Sequence, residues 1–418
     1  MTSLFALRSS LFALRTLHSS TVPASYIIFM PRKLQTSPHD GFLNAIRARP
    51  DDDEPRLVYA DWLDEAGDPL ARFIRIQCRR SRLSPHDPEW ERLGHDETEL
   101  LVQHRKAWFG PIEEITGTNP VFLRGVIAHL DITGSVLVKR ANRLFQLAPL
   151  VHSLRVRELR QTLGEIVDAP WLERITHLDL SGNSLGNRGL SVLARSPART
   201  SLRQLQMNRC ELNAASVVAF ANADSFANLQ SLHVADNGLG EVGTRTLATA
   251  GALRQVVDLD LSRNHLQDAG AAALVDAAVW RLRHLRIADN AIGNDGVAAL
   301  ANAPCLADLT LLALAGNRIS NVGVQKLTHG DALHHLHLLN LERNHISDRG
   351  LDFLGEAPHW REITYLNVSQ CEASRAAAER LIATTRFPRL QTLRANPHGV
   401  RKTTPCLVAF EGYAQTPG

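Results

Sequence analysis

The chain has 418 residues, of which 44% are hydrophobic, and its 46 Lys and Arg nearly balance 43 Asp and Glu, giving a formal net charge of +3. This composition is typical of a globular protein with a core, and the apolar runs are too short for a transmembrane helix, so we expect no membrane partner. Five cysteines without a C-x-x-C are too few and too scattered for a disulfide framework, which favours a reducing, cytoplasmic location.

Residues 1–35 differ in composition from the rest of the chain and are predicted to be disordered. The first 39 residues contain no acid and four bases, Arg8, Arg15, Arg32 and Lys33, as in a mitochondrial transit peptide. We favour a second interpretation, in which the start codon is assigned too early and translation begins at Met30. Leaving out all four bases, 42 Lys and Arg stand against 43 Asp and Glu, and a chain that begins at Met30 and keeps Arg32 and Lys33 has 44 against 43, so the net charge gives no indication of nucleic acid.

Residues 38–83 carry the start and stop signals of a small all-α module. Glu54 followed by Pro55 suits a helix N-terminus, Gly67 suits a C-terminal cap, and Asp68 with Pro69 opens the next helix. This stretch resembles the bacterial repeat-companion domain, a module found beside repeats in the same chain, through Pro50, Asp51, Asp52, Asp53, Pro55, Arg56, Leu57, Val58, Tyr59, Ala60, Asp61, Trp62, Leu63, Gly67, Asp68, Phe73 and Ile74. The resemblance implies a bacterial protein and assigns no activity to the module.

Two charge clusters in this module allow both a functional and a structural interpretation. The acids from Asp51 to Glu54 could bind a cation, but acids are expected before a helix because they offset its dipole and its unpaired N–H groups. Five arginines on the next helix could follow a nucleic-acid backbone, but nine acids between Asp40 and Asp68 favour charge compensation within the module. Those arginines are Arg72, Arg75, Arg79, Arg80 and Arg82.

Between residues 175 and 373 the pattern L-x-x-L-x-L-x-x-N-x-L recurs eight times at steps of 26 or 27 residues. Leucine stands five positions before the Asn column and an apolar residue three positions before it, which is the alternation of a short strand with one buried face. Apolar residues ten positions after the column indicate a buried helix stripe, so each unit is predicted to be strand, turn and helix. The column comprises Asn183, Cys210, Asn237, Asn264, Asn290, Asn317, Asn344 and Cys371.

Stacking these units predicts an α/β solenoid shaped as a horseshoe, with a parallel sheet on the concave side and helices on the convex side. Parallel strands lie about 4.8 Å apart whereas packed helices need roughly 8 to 10 Å, which curves the array. We expect the Asn column to form an interior ladder to backbone groups left unpaired at the strand ends. Residues 84–122 are then a connector, residues 123–398 the repeat domain, and residues 399–418 a flexible tail.

This long, helix-bearing period resembles the ribonuclease-inhibitor class of leucine-rich repeats over about residues 123–396. Members of that class inhibit nucleases, activate small GTPases or scaffold signalling complexes, so the resemblance indicates a fold more than a function. Four positions after the column, N-cap residue types recur and are expected to begin the following helix; they are Asn187, Glu241, Asp268, Asn294, Asn321 and Asp348.

The sequence contains no P-loop and no H-E-x-x-H, and its single G-x-S-x-G (182–186) and G-x-G-x-x-G (238–243) both fall on the glycine and asparagine columns of the repeat. We therefore predict a protein that is not an enzyme and needs no cofactor. Histidines are densest between His329 and His345, and His335 and His337 project from one side of a strand. They alternate with core leucines and lack a carboxylate or Cys set at ligand spacing, so the sequence favours surface histidines over a metal site.

The concave face is the remaining candidate, because its outward strand positions are polar and mixed in sign, which suits a protein partner. The sequence therefore predicts a monomeric, non-catalytic scaffold that binds a protein partner of unspecified identity. The contact residues that we predict are Asp260, Arg263, Arg286 and Arg343. The nearer alternative is a GTPase activator or another regulator of a partner enzyme, like the Ran-type members of the class. The more remote one is a nucleic-acid-binding helical module.

Overall fold

The computed structural model describes residues 38–85, 87–159, 161–195, 201–221, 223, 226–276 and 280–395. The predicted segment 1–35 and the predicted tail 399–418 lie outside these residues. The chain divides into two compact units, the first comprising Met1–Pro111 with Phe122–Val126 and the second comprising Ile112–Val121 with Ile127–Gly418. No helix within the described ranges is long and apolar enough to cross a membrane.

Helices dominate the first unit. The module predicted at residues 38–83 contains three of them, and much of the stretch predicted as a connector is a single long helix. Their bounds are α1 Pro38–Ala48, α2 Glu54–Glu65, α3 Leu70–Arg80 and α4 Pro88–Thr116. The unit is organised around Phe73, which is fully buried and whose ring centroid lies 5.0 Å from that of Trp108 and 5.1 Å from that of Phe122.

Strands and helices alternate through the second unit, as the repeat pattern predicts. The strands form one sheet in chain order, and every pairing from β2 to β12 is parallel. The strands are β1 Val121–Leu123, β2 Val126–Thr133, β3 Ser153–Arg157, β4 His177–Asp179, β5 Gln204–Gln206, β6 Ser231–His233, β7 Asp258–Asp260, β8 His284–Arg286, β9 Leu311–Ala313, β10 Leu338–Asn340, β11 Tyr365–Asn367 and β12 Thr392–Arg394.

Each strand from β2 onward, up to β11, is followed by a helix, and from α7 onward consecutive helices pack against one another. The prediction of an α/β leucine-rich repeat solenoid with a small helical module ahead of it is therefore confirmed. The helices are α5 Gly134–Leu147, α6 Leu163–Asp168, α7 Gly186–Ala194, α8 Ala214–Ala221, α9 Gly240–Ala248, α10 Gln267–Asp276, α11 Asn294–Ala301, α12 Asn321–His329, α13 Asp348–Glu356 and α14 Arg375–Ala383.

The middle residue of each strand from β4 to β12 is a leucine that points into one continuous core. The register places these leucines side by side, so that Leu259, for example, pairs with Leu232 and Leu285. Because successive residues of a strand face opposite sides, the residues that flank each leucine lie on the face that the helices do not cover. This alternation fixes which side chains are available on the concave face.

Asparagines of the column occupy the interior where the chain leaves each strand. Asn264 is fully buried, and its Nδ2 donates to the carbonyl of Leu261 in its own repeat (3.1 Å) and to that of Val234 in the preceding repeat (2.9 Å). Its Oδ1 accepts from the N–H of Leu239 (3.4 Å). Asn237, Asn290, Asn317 and Asn344 make corresponding bonds, so each asparagine joins two repeats.

Two members of the column are cysteines, and both are buried. The Cys210 Sγ donates to the carbonyls of Leu180 (3.3 Å) and Asn208 (3.5 Å), and the Cys371 Sγ donates to that of Leu341 (3.4 Å). A thiol thus replaces the amide N–H₂ as donor but supplies no side-chain oxygen. Burial raises the pKa of Cys210 to about 12 and also raises that of Cys371, so neither thiol is a reactive thiolate.

A second ladder runs along the helix starts. Helices α11, α12 and α13 begin at Asn294, Asn321 and Asp348, in agreement with the expectation from the sequence, but the side chains bond to the following repeat. The Asn294 and Asn321 Oδ1 atoms accept from the N–H groups of Ser320 and Ser347 in the following repeat, each at 3.0 Å, instead of capping their own helices. The Asp268 Oδ1 likewise accepts from Gly296 in the following repeat (3.0 Å). A Cβ at Gly296 would lie 2.6 Å from that oxygen, which explains the recurring glycine two positions after these residues.

We expect Asn264→Ala to lower the free energy of unfolding by roughly 2 to 4 kcal/mol, because it leaves buried N–H and C=O groups of two repeats without partners. Asn302→Ala is the matched control, since Asn302 is exposed and makes a single local hydrogen bond to Ala298. Urea unfolding followed by circular dichroism measures both. Equal urea midpoints for the two variants would contradict a stabilising role of the ladder.

Candidate functional site

The concave face is formed by the first and third residues of each short strand, together with the loops that follow them. Along β7 to β10 the first and third positions are Asp258 and Asp260, His284 and Arg286, Leu311 and Ala313, and Leu338 and Asn340. All eight side chains are partly exposed. The surface is therefore charged at β7 and β8 and becomes apolar at β9.

Immediately before the Asn column, the chain adopts a left-handed backbone conformation in nearly every repeat. We call these residues the exit row; they are Gly182, Arg209, Asp236, Arg263, Asp289, Gly316, Arg343 and Gln370, with φ between +53° and +76°. The conformation costs an L-residue about 1–2 kcal/mol. It is offset by a hydrogen bond to the next repeat, such as Arg263 N–H to the Ala288 carbonyl (2.8 Å) and Asp289 N–H to the Ala315 carbonyl (2.8 Å).

Two of the four predicted contact residues meet on a carboxylate of the exit row. Arg263 Nε lies 3.2 Å from the Asp289 Oδ2, and Arg343 Nη2 lies 3.1 Å from the Asp289 Oδ1. We call Arg263, Asp289 and Arg343 the Asp289 clasp. Arg343 belongs to the second repeat after Asp289, so its side chain spans the repeat between them. Both arginines are therefore already engaged within the protein.

Gly316 makes this long reach possible. It occupies the exit row between Asp289 and Arg343, with φ of +66°. A Cβ at this position would overlap the Asp289 Oδ1 and would lie 3.2 Å from Arg343 Nη2. The carboxylate consequently rests on the glycine backbone, where any other residue would displace it. Sequence columns place Gly316 in the exit row but give no sign of this close approach.

The third predicted residue, Arg286, is paired with Asp258, which sequence reasoning missed. Arg286 Nη1 lies 2.5 Å from the Asp258 Oδ1, and His233 Nε2 lies 3.1 Å from the Asp258 Oδ2. Burial by itself would raise the pKa of Asp258, but the hydrogen bond from His233 and the charge of Arg286 hold that pKa well below its usual range. The sequence could have indicated Asp258, because it lies two residues before Asp260 on the same strand and therefore faces the same side of the sheet.

Ser231, His233 and Asp258 form a group that contains the residue types of a hydrolase triad without its geometry. The Ser231 Oγ and the Asp258 Oδ2 both contact the same ring nitrogen, His233 Nε2, at 3.2 and 3.1 Å. The hydroxyl also donates directly to the Asp258 Oδ2 (3.2 Å). A triad needs the acid and the nucleophile on opposite nitrogens of the imidazole. This arrangement therefore supports an electrostatic cluster and not nucleophilic catalysis.

The fourth predicted residue, Asp260, has no cationic partner among the described residues. Its Oδ1 accepts only a local hydrogen bond, from the N–H of Ser262 (2.9 Å). Further along the face, Glu342 is held by neutral amides, since its two oxygens accept from Asn367 Nδ2 (3.0 Å) and Gln370 Nε2 (2.9 Å). These carboxylates are thus oriented by the protein but are not neutralised by it.

Histidines come together at the strand entry beside β10. His335 Nδ1 and His337 Nε2 lie 3.5 and 3.9 Å from the same oxygen of Glu362, and the His334 and His359 rings stand 4.3 Å apart. Across the part of the chain that the structure describes, no group of three or more His, Cys, Asp or Glu side chains has the geometry to hold a metal ion. The cluster is partly exposed and local.

In the first unit, the arginines considered for nucleic acid are all ion-paired. Arg79 Nη2 lies 2.7 Å from Glu89 and Arg80 Nη1 lies 2.6 Å from Glu97, while Arg72, Arg75 and Arg82 pair with Asp96, Asp61 and Asp53. Three of the four acids considered for a cation are paired as well, since Asp52 and Glu54 contact Arg49 and Asp53 contacts Arg82. Little positive charge is left to follow a phosphate backbone.

Comparison with known proteins locates leucine-rich repeats in the second unit. The leucine-rich repeat family model matches residues 175–194, 255–275, 282–301, 306–327 and 332–355. Among solved structures, an internalin from Listeria monocytogenes aligns with 62% of this chain and 70% of its own, at 20% sequence identity and a TM-score of 0.39.

Two curated relatives show the extent of the likeness in sequence. The chain is 36% identical over 138 residues to the NACHT, LRR and PYD domains-containing protein 5 of Homo sapiens, a match that covers 30% of this chain and 11% of that protein. It is 32% identical over 136 residues to the ribonuclease inhibitor of Sus scrofa, covering 31% of this chain and 30% of that protein. The matches therefore span less than a third of either relative.

We expect Gly316→Ala to destabilise the protein more than Gly182→Ala does. Both residues lie in the exit row with positive φ, so both variants bear a left-handed alanine that costs about 1–2 kcal/mol. A Cβ at Gly182 meets nothing within 4 Å, whereas at Gly316 it displaces Asp289 and opens the clasp. Urea midpoints measure the difference, and equal losses would contradict the proposed role of Gly316.

We expect Asp258→Asn to lower the free energy of unfolding at pH 7 by roughly 1–3 kcal/mol, because it removes charge-assisted hydrogen bonds. The folded-state pKa of Asp258 is depressed, so its contribution is complete above the unfolded value of about 3.9 and is lost as the pH falls through the folded value. The gap between wild type and variant should therefore narrow below pH 4 in urea titrations. Asp308→Asn, at an exposed carboxylate, is the control; a gap independent of pH would refute the assignment.

Proposed function

We propose that this chain is a non-catalytic interaction protein whose leucine-rich repeats bind a protein partner through the concave face. Proteins built from leucine-rich repeats generally act in protein–protein interaction, and such repeats are present in the second unit. A sheet face that carries ordered charges beside apolar side chains offers both specificity and buried area to a partner.

The main support for this proposal is that charged side chains of the uncovered face are already held in place in the unbound chain. Asp289 is fixed by Arg263 and Arg343, and Asp258 by Arg286 and His233. Groups that are already ordered lose little side-chain entropy on association, which leaves more of the contact energy for affinity. The prediction that Arg263, Arg286, Arg343 and Asp260 contact a partner becomes part of this proposal, with the arginines acting from within ion pairs.

We also propose a domain organisation, a compartment and an oligomeric state for the chain. Residues 38–83 would be a bacterial repeat-companion module, residues 84–122 its connection to a repeat domain at 123–398, and the protein would act in the cytoplasm as a monomer. The four cysteines for which the structure gives a state are all free, which agrees with a reducing compartment. The five arginines between Arg72 and Arg82 all form ion pairs within the chain, so no observation favours nucleic-acid binding.

Ala313→Arg tests the concave face without dismantling an ion pair. Ala313 is a partly exposed residue on β9, and an arginine there would place charge and bulk in the middle of the proposed interface. Val322→Arg is the matched control, because Val322 is 51% exposed on the first turn of α12. Both full-length variants serve as bait in affinity capture from native lysate, followed by mass spectrometry.

A partner kept by wild type and Val322→Arg should be retained at least about tenfold less by Ala313→Arg, since one unpaired buried charge costs more than 1.4 kcal/mol. Urea unfolding of both variants verifies that they remain folded. Equal retention of every captured protein by the two variants would overturn binding through the concave face.

A further inference from the structure

The concave face changes character between β7 and β10 in a way that indicates the chemistry of its partner. On and just after β9 the residues of this face are apolar or small, namely Leu311, Ala313 and Gly316, and the side chain of Ala315 is buried. On and just after β8 and β10 stand longer polar side chains, including Arg286, Asp289, Asn340 and Glu342. A low apolar strip therefore crosses the sheet, with charged side chains on either side of it.

The three arginines on the concave face beside this strip already form ion pairs. Arg263 and Arg343 share Asp289, and Arg286 is paired with Asp258 at 2.5 Å. A carboxylate from a partner would have to compete with these intramolecular contacts, which are in place and well oriented. Breaking a partly buried pair leaves the displaced aspartate without a cation, and that penalty would offset the gain from the new contact.

Negative charge is left over on both sides of the strip. Asp260 on β7 accepts only from a backbone N–H, and Glu342 after β10 accepts only from two neutral amides, so neither has a cation among the described residues. Since Arg263, Arg286 and Arg343 are all engaged by Asp258 and Asp289, the carboxylates without a cation at the two ends of the strip are Asp260 and Glu342. Their oxygens are the free acceptors available to a partner.

We propose that the partner presents a basic segment to this region, with one Lys or Arg side chain on each side of an apolar residue. The proposal rests on the function proposed above and names the class of partner. The cations contact Asp260 and Glu342, and the apolar residue lies over Leu311 and Ala313. Cationic side chains with long apolar stems suit such a surface, because their methylene groups cover the strip while their charged ends reach the carboxylates.

Strand geometry sets the spacing of the two cations. Asp260 and Glu342 are separated by three strand intervals of about 4.8 Å and by two residues along the strand direction, which is roughly 16 Å in all. An extended segment advances about 3.4 Å per residue. The basic side chains should therefore stand four or five residues apart in an extended partner segment, with the apolar residue between them.

A display selection with random twelve-residue peptides on the immobilised full-length chain tests the inference. Enriched peptides are then measured by fluorescence polarisation against wild type, Asp260→Asn, Glu342→Gln and the control Glu356→Gln, whose carboxylate is exposed on α13. We expect enrichment of Lys or Arg at a separation of four or five, with an apolar residue between. Each concave substitution should weaken binding about tenfold, and Glu356→Gln should leave it unchanged.

The other outcomes separate the two proposals. Enrichment of acidic or uncharged peptides that Ala313→Arg abolishes would overturn the basic partner and retain the concave face as the binding surface. Basic peptides that bind equally to Asp260→Asn and Glu342→Gln would also overturn the inference. Peptides unaffected by Ala313→Arg, or no enrichment at all, would count against the proposed function itself.

Discussion

Strands β4 to β12 have only three residues each, so the backbone groups at their ends must find hydrogen-bond partners outside the strand pairing. The side chains that supply these partners hold the repeats together. A buried unpaired N–H or C=O costs as much as a lost hydrogen bond. The side chain of Asn264 bonds to backbone of its own repeat and of the repeat before it. Such an interior link holds neighbouring repeats in one register, because a shift by a single residue would break the bonds of two repeats at once.

The fixed register has a direct consequence for electrostatics. Residues in the same column of successive repeats become spatial neighbours, so a change in one column is felt by the side chains beside it. This is why Asp258, Arg286 and His233 from three strands form one cluster. It is also why an absent side chain at Gly316 lets Asp289 and Arg343 meet across an intervening repeat. On the concave face, charges from neighbouring strands are therefore paired within the protein at Asp258 and at Asp289.

Ion pairing within the protein determines which of the predicted contact residues can attract a partner. Charged residues on an exposed face suggest contacts with a partner, but a charge that is neutralised within the protein contributes little new attraction. On this face the arginines are engaged, and the carboxylates Asp260 and Glu342 are not. In the first unit the pairing of the α3 arginines with acids removes most of the charge that nucleic-acid binding would need. The location of charge was predictable, but its availability was not.

The repeat period, the strand, turn and helix of each unit, and the helical character of the module at residues 38–83 were predictable from the sequence alone, because they follow from local periodicity and from capping residues. The sequence also placed the outward columns, since alternation along a strand needs no tertiary information. Three features became evident only in the folded protein: Asn294 and Asn321 bond to the next repeat, Arg263 and Arg343 share Asp289, and Asp258 pairs with Arg286. Those contacts join residues 26 to 54 positions apart, and their partners are set by distances across the sheet that no local pattern encodes.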